Sequence, residues 1–565
     1  MLEKTIIRRL VHDNTNEQTA FSNPVLTRII NQRKCQYTSY ALSDLERPDN
    51  LTNIDKVTDK LLEIRENGSH MLIIGDYDCD GATATTVAIQ GLQELGFKNV
   101  NYLIPNRFET GYGLNTEIIK QALQSGTKPN TIMTVDNGIS SIDGVSFAKS
   151  HNIDVIITDH HLPGEKLPET EFIINPQLKD DAFASKAICG VGVMFYLLIA
   201  LRKKLKERGL IQDNVNLMKL IDLVTLGTIA DCVPLDKNNR TLIHHGLKNI
   251  RNNKMSKGIR ALIEESNINI KTITSTDIAF RVAPKLNAVG RMSDMSMGVR
   301  CLLSTSDHDA QKHVKQLTGF NTSRSELQLS IQNQALDQIK RHDKECKKVI
   351  VLFHEDWHQG VIGIVASRIK DLVHKPCIIF ASDENEYIKG SGRSIEGIHI
   401  KDILENIATK HGILDKFGGH AMAAGLRIKK DDLDVFEKAI NAEVNDYPDS
   451  LFEAIQYSDG ELASSEISIQ TAEALENYGI WGQDYPEPVF ENVLKVLDKK
   501  ILKGKHLKLT LQYEGKQYKA MWFFCSETLF EKIATGESYR FFYKLSVSVY
   551  LGEKQLSLFI EHFKT

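Results

Sequence analysis

From about residue 55 to residue 160 the chain alternates short apolar runs, polar loops and amphipathic stretches. The segments MLIIG (71–75), TIMTV (131–135) and IDVIIT (153–158) are apolar runs of strand length, each ending in polar residues. A helical pattern starts near Asp55, and another follows the acidic loop from about Ala82. Strand, loop and helix repeated in this order predict a parallel α/β sheet. Such open sheets bind ligands beyond the C-terminal ends of their strands. The run from Ile188 to Leu201 carries two glycines and is too short to span a bilayer, so it predicts a buried helix.

The pattern changes several times along the chain. Residues 1–50 are polar and irregular and read as an N-terminal extension, with the first α/β domain at 51–304. Residues 305–345, rich in Gln, Lys, Asp and Ser, predict an exposed helical connector. KKVIVLF (347–353) and KPCIIFAS (375–382) restart the α/β pattern and place a second domain at 346–445. Residues 446–565 form a C-terminal region, mixed and mostly helical at first. From PEPVF (486–490) onward the segments HLKLTLQY, KQYKAMWFF and YRFFYKLSVSVY alternate apolar and polar residues, which predicts a small β-barrel.

Composition narrows the class. A chain of 565 residues is too long for one core, and 42% hydrophobic with 25% charged residues is the balance of a soluble globular protein. The opening residues MLEKTIIRRL lack a secretory apolar segment, so a cytoplasmic protein without a membrane span is expected. The eight cysteines form no CxxC pair, which argues against a zinc ribbon or a thioredoxin-type motif. A net charge of −4 argues at first against a nucleic-acid partner. However, residues 491–565 hold thirteen Lys and Arg against eight Asp and Glu, and charge distribution matters more than its sum. The same segment carries thirteen aromatics, among them Tyr513, Tyr518, Trp522, Phe523, Phe524 and Tyr543. Interleaved with Lys503, Lys505, Lys508 and Lys519, they suit stacking on single-stranded bases, although more than half are expected to fill the barrel core.

The candidate chemistry lies in four segments: Asp76-Tyr77-Asp78-Cys79-Asp80-Gly81, Asp136-Asn137-Gly138, Asp159-His160-His161, and Asp231 in LGTIADCVPL. The first three directly follow apolar strands, which puts five aspartates and two histidines along one sheet edge. A single aspartate after a strand is as readily a helix cap or a turn residue. Four such segments together favour a site. Carboxylates gathered at one edge repel one another unless they are protonated, point apart, or hold cations between them. Oxygen ligands with an imidazole suit Mn²⁺ or Mg²⁺, and a shared carboxylate could bridge two ions. An EF-hand loop starting at Asp76 is excluded, because its twelfth position is Val87 rather than Glu. Phosphoryl transfer also needs positive charge; Arg107, Arg281, Arg291 and Arg393 lie in glycine- and proline-rich segments that let backbone approach a phosphate.

The ordered segments DYDCDG, IPNRFETGYGL, VDNGIS, TDHH, GTIADCVPL, FRVAPKLNAVGR, WHQGVIGIVASR, GSGRS and FGGHAMAAG resemble the RecJ family of the DHH superfamily. The match runs from about residue 70 to residue 425 and continues more weakly to the C-terminus. Asp484-Tyr485-Pro486-Glu487-Pro488 departs slightly from the family's NPEP-like turn. The resemblance implies a parallel-sheet DHH catalytic domain, a DHH-associated substrate-binding domain and a C-terminal barrel of oligonucleotide-binding type. It implies that Asp76, Asp78 and Asp136 hold one divalent ion, and that Asp80, Asp136, His160 and Asp231 hold the other. Asp136 would bridge the two, and His161 would contact the scissile phosphate, so that His161, Asp136 and Asp80 form the implied catalytic set. Arg281, Ser391, Arg393, Gly418, Gly419 and His420 would hold the terminal 5′-phosphate or its neighbours. The implied activity is hydrolysis of single-stranded DNA from the 5′ end to mononucleotides, in DNA repair and recombination. The implied partners are single-stranded DNA, a helicase and a single-strand-binding protein, with the chain itself a monomer. Two alternatives stand beside this. Another DHH enzyme acting on short oligonucleotides, cyclic dinucleotides or pyrophosphate would be shorter and lack the connector and the barrel. A non-catalytic DNA-binding scaffold would have lost metal ligands, and every ligand position here is filled.

Overall fold

A computed structural model describes residues 4–9, 21–33, 40–124, 126, 128–341, 347–502, 506–523, 525, 527–550 and 553–564. Lys503, Lys505 and Phe524 lie outside the described residues. The chain divides into two compact units: Gln36–Asn321 with Glu476–Glu487, and Met1–Cys35 with Thr322–Leu475 and Pro488–Thr565. No helix among the described residues is long and apolar enough to cross a membrane.

The first unit is built on a five-stranded sheet whose neighbouring strands are all parallel. Its order is Val100–Leu103, Met71–Gly75, Thr131–Val135, Asp154–Thr158, Ile173–Ile174. The strands Met71–Gly75 and Thr131–Val135 are buried at every residue, which explains their unbroken apolar sequence. The helix after the first of them spans Cys79–Glu94. It starts earlier than the apolar pattern predicts because Asp78 caps it, accepting from Gly81 N–H at 3.0 Å. The predicted buried helix is Gly190–Glu207. The short segment Glu476–Glu487 belongs to this unit although it is distant in sequence. There the fully buried Arg240 lies 3.9 Å from the ring centroid of Tyr485 and 5.4 Å from those of Tyr40 and Tyr478. Aromatic faces attract a desolvated cation, so the arginine ties this segment to the unit.

The connector is a single helix of 35 residues, Asp307–Arg341. In the second unit the sheet order is Leu414–Gly419, Ala423–Lys429, Tyr387–Arg393, Cys377–Ser382, Ile350–His354. Only its last pair of strands is parallel. The C-terminal strands close a barrel in the order Phe490–Leu502, His506–Tyr513, Lys516–Phe523, Glu553–Lys564, Ser538–Tyr550. One pair, Lys516–Phe523 with Glu553–Lys564, is parallel and the rest are antiparallel. Such a five-stranded closed sheet is the oligonucleotide-binding type of barrel.

The N-terminal residues, read from sequence as irregular, carry a strand and a helix. Strand Lys4–Arg8 pairs in parallel with Ala454–Ser458, and helix Pro24–Gln32 is capped by Asn23. Two buried carboxylates hold them in place. Asp459 accepts from Arg9 at 2.6 Å, from Arg33 at 3.1 and 3.2 Å, and from Val489 N–H at 2.9 Å. Glu491 accepts from Arg8 at 2.5 Å, Arg540 at 2.9 Å and Ser458 at 3.0 Å. Neither strand of the Lys4–Ala454 pair has enough apolar content to announce itself, and these ion pairs supply what is missing. Arg33→Met is expected to destabilise this unit by roughly 1–2 kcal/mol, because it removes one of the two arginines that pair with a buried carboxylate. Denaturant titration checks this; an unchanged midpoint would show that Arg9 alone suffices.

Candidate metal centre

Backbone geometry places the candidate ligands. Asp76, Asp136 and Asp159 are the first residues beyond three adjacent parallel strands, and Asp231 follows helix Ile221–Ala230. The carboxamide of Asn137 donates to Ile74 O at 3.0 Å and Val135 O at 2.9 Å, so it clamps the two central strand ends together. Asp136 has a φ of 64°, a left-handed conformation that Asp tolerates better than most residues. Gly190 must lack a side chain, since a Cβ there would lie 2.4 Å from the Asp136 Cβ. The first turn of helix Gly190–Glu207 anchors Asp80, whose carboxylate accepts from Gly190 N–H at 2.7 Å and Val191 N–H at 3.0 Å.

The donors fall into overlapping groups. Asp76, Asp78 and Asp136 each offer an oxygen within 4.8 Å of the others, and so do Asp80, His160 and Asp231 with an oxygen or ring nitrogen. Asp136 also groups with His160 and His161. His160 Nε2 lies 3.1 Å from Asp136 Oδ1, 3.6 Å from Asp231 Oδ2 and 4.0 Å from Asp80 Oδ2. Yet His160 Nε2 and Asp136 Oδ1, both buried, make no hydrogen bond among the described residues. Burial, reinforced by mutual repulsion, pushes Asp76, Asp136 and Asp231 well above the usual carboxylate range and Asp80 up to about 7. Burial also lowers His160 to about 4, which leaves a neutral imidazole facing carboxylates. Buried polar atoms without partners and carboxylates forced together fit a bound cation. Oxygen donors with one imidazole fit Mn²⁺ or Mg²⁺.

His161 is held differently. Its Nδ1 lies 2.7 Å from Asp159 Oδ1, and Asp159 also accepts from the N–H groups of Ile139, His160 and His161. Burial opposes protonation of His161, but the Asp159 hydrogen bond and charge outweigh it and lift the imidazole to about 9. Two adjacent histidines thus take opposite charge states: one neutral and suited to ligate, the other cationic.

The expected substrate-binding residues divide between the units. The Arg107 guanidinium lies 4.3 Å from the Tyr77 ring centroid, and the Tyr112 ring meets both Tyr77 and His161 edge-on. Arg281 is engaged by Asp277 at 3.0 Å, Ser266 O at 2.6 Å and Asn267 O at 3.1 Å. Arg291 lies on helix Ala283–Met292, close enough for its charge to act on Tyr77. In the second unit, Gly418, Gly425 and Ser391 form one row across three paired strands, with Gly419 and Arg393 alongside. Arg393 donates to Ser391 Oγ at 3.2 Å and to Gly392 O at 2.7 Å. His420 N–H donates to Ala423 O at 2.8 Å, closing the turn after Gly419, whose φ is 144°. In the barrel, Tyr518, Trp522 and Tyr543 are buried, whereas Phe523 is 46% exposed. Sequence reasoning missed three contributors: Gly190, Tyr112, and Asp159 as the residue that orients His161. The glycines of Cys189-Gly190-Val191-Gly192 were a usable signal, since a glycine opening an apolar helix marks close approach.

An all-parallel sheet with two sets of potential metal ligands at its strand ends, together with a match of residues 70–228 to the DHH family, places the chain among the metal-dependent phosphoesterases of the DHH class. Residues 70–228 match the DHH family, N-terminal domain, residues 347–446 the DHHA1 domain, and residues 458–562 the RecJ OB domain. The single-stranded-DNA-specific exonuclease RecJ of Haemophilus influenzae is 40% identical over 557 residues, covering 96% of each chain. The crystal structure of RecJ from Thermus thermophilus in complex with Mn²⁺ is similar with a TM-score of 0.79 at 26% identity, over 96% of this chain and 76% of that one. Its Mg²⁺ complex is similar with a TM-score of 0.74 at 25% identity, over 96% and 75%. The chain belongs to the RecJ family.

Proposed function

We propose that this protein is an exonuclease that hydrolyses single-stranded DNA from the 5′ end to mononucleotides, using two divalent ions, Mn²⁺ or Mg²⁺. The observation that carries the reading is the two neighbouring ligand groups, Asp76, Asp78 and Asp136 beside Asp80, His160 and Asp231, with Asp136 Oδ1 buried 3.1 Å from His160 Nε2 and without a hydrogen bond among the described residues. Asp76, Asp78 and Asp136 would hold one ion, and Asp80, Asp136, His160 and Asp231 the other. Bound ions of this kind activate a water and neutralise charge on a phosphoryl group. His161, cationic and fixed by Asp159, is suited to donate a hydrogen bond to a non-bridging phosphate oxygen. Arg107 adds a cation beside the same loop.

Strand choice is supported by the name of the H. influenzae relative and by the barrel. Polarity rests on the family resemblance. The glycine row beside Ser391 and Arg393 suits a terminal phosphate, because backbone without side chains can approach it closely. A role in DNA repair and recombination, a cytoplasmic location, a monomeric state, and a helicase and single-strand-binding protein as partners complete the proposal. DNA labelled at either end, single- or double-stranded, with Mn²⁺, Mg²⁺ or chelator tests it. Labelled mononucleotide should appear first from 5′-labelled single strands with metal. Early release from the 3′ label, or equal digestion of duplex, would contradict the reading.

A further inference from the structure

Helix Ala283–Met292 is built against the loop that carries three of the candidate ligands. Asn287 Oδ1 accepts a hydrogen bond from Cys79 N–H at 2.8 Å. Nearly one turn further on, Gly290 has no room for a side chain, since a Cβ there would lie 1.7 Å from Tyr77 O. The two contacts grip the loop at residues 77 and 79, on either side of Asp78. The amide that Asn287 holds belongs to the peptide bond joining Asp78 to Cys79. Asp78 and Asp80 flank it and face different groups, one with Asp76 and Asp136, the other with His160 and Asp231. The orientation of that peptide therefore governs how the two carboxylates diverge. Each is anchored on its far side as well, Asp78 by Gly81 N–H and Asp80 by Gly190 and Val191 N–H. The Cys79 N–H is in the first turn of its helix, where amides lack an intrahelical acceptor, and Asn287 supplies one. The turn preceding Ala283, Ile278–Val282, is a π-helix. An extra residue in a turn rotates the rest of the helix by about 100°, so this turn sets the face on which Asn287 and Gly290 lie.

We propose that Asn287 is a positioning residue that, with Gly290 one turn on, sets the relative placement of the two metal groups. It donates nothing to a metal and acts through the Cys79 amide. The inference rests on the two-metal reading above. It is tested on the full chain by calorimetric titration with Mn²⁺ and by electron paramagnetic resonance of the Mn²⁺-loaded protein. The unmodified chain should bind two ions with a spin-coupled spectrum. Asn287→Ala should weaken one of the two roughly 10- to 100-fold, as loss of a residue supporting a ligand does, and give the spectrum of isolated Mn²⁺. Asn287→Asp keeps an oxygen acceptor in the same place and should restore the second ion. Gly290→Ala must displace the Tyr77 carbonyl and should reproduce Asn287→Ala; it decides the matter if Asn287→Ala does not fold. Lys285→Met is the control. Lys285, on the same helix, bonds Ser266 Oγ at 2.7 Å and Arg281 O at 2.8 Å, so its loss should lower the melting temperature and leave both ions bound. Two tight, coupled ions in Asn287→Ala, or an Asp variant as impaired as the Ala variant, would overturn the proposal. Fewer than two ions in the unmodified chain would instead overturn the two-metal reading.

Discussion

Asp136→Ala is expected to reduce hydrolysis of single-stranded DNA by roughly a thousandfold or more while leaving strand binding largely intact. In the proposed arrangement Asp136 bridges the two ions: it groups with Asp76 and Asp78 on one side and lies 3.1 Å from His160 Nε2 on the other, so its loss should disturb both ions at once. The groups suited to grip a strand, the Ser391–Arg393 row and the barrel, are in the other unit and remain unchanged. A second readout separates function from folding. In the metal-free protein Asp136 is buried among carboxylates that repel it. Asp136→Asn keeps the shape, tolerates the φ of 64° and stays neutral in the unfolded chain as well, so it removes the pull toward unfolding that ionisation of Asp136 exerts, and at neutral pH the metal-free variant should melt at a higher temperature than the unmodified chain. Undiminished turnover by pure Asp136→Ala protein would end the two-metal reading; a lower melting temperature for Asp136→Asn would show that the carboxylates are not in conflict.

Mn²⁺ is expected to raise the melting temperature of the protein strongly, and by more at pH 8 than at pH 6.5. The sign follows from the carboxylates. Asp80 is raised to about 7 in the folded chain, and burial and repulsion also push Asp76, Asp136 and Asp231 well above the usual carboxylate range. A carboxylate with a raised folded pKa supports the fold fully below its unfolded value, near 4, and that support is lost as pH rises through the folded value. The cationic His161, raised to about 9, acts in the same direction up to that pH. His160, lowered to about 4, acts oppositely, but its contribution is nearly complete by pH 6.5, where an unfolded histidine is half-titrated. Between pH 6.5 and 8 the metal-free protein therefore loses stability. Metal binds the deprotonated ligands, so it gains as they ionise and offsets the loss. At a thousand times its dissociation constant, one ion contributes about 4 kcal/mol. Differential scanning calorimetry with and without chelator at the two pH values measures the effect. A metal-induced shift equal at both would mean that the carboxylates ionise freely without metal.

Much of the catalytic sheet was legible because its information is local. A buried parallel strand needs an unbroken apolar run, and MLIIG and TIMTV span the strands observed. Residues that leave such a strand fall at the sheet edge wherever the rest of the chain goes, which is why Asp76, Asp136 and Asp159 could be placed together. The barrel strands were legible for the same reason, since alternation marks one covered face. The linear pattern carried no sign of pairings made across hundreds of residues. Strand Lys4–Arg8 finds Ala454–Ser458, and Arg33 finds Asp459, through partners that only the folded chain brings near. Segment Glu476–Glu487 joins the catalytic unit by way of Arg240, which no periodicity announces.

The sequence by itself determined the chemistry: six carboxylate and imidazole donors at strand and helix ends, with motif order enough to point to the family. Tertiary structure decided how those donors are used. It made His160 neutral and His161 cationic, because burial acts on both but only the His161 ring gains a hydrogen bond to Asp159. It decided which rings are available, burying Trp522 and leaving its neighbour Phe523 outward, since successive strand residues face opposite sides. It also brought Asn287, 208 positions away in sequence, onto the Cys79 amide. Residue type sets what a group can do, and the charge, exposure and spacing that select among those possibilities arise only when distant segments pack against one another.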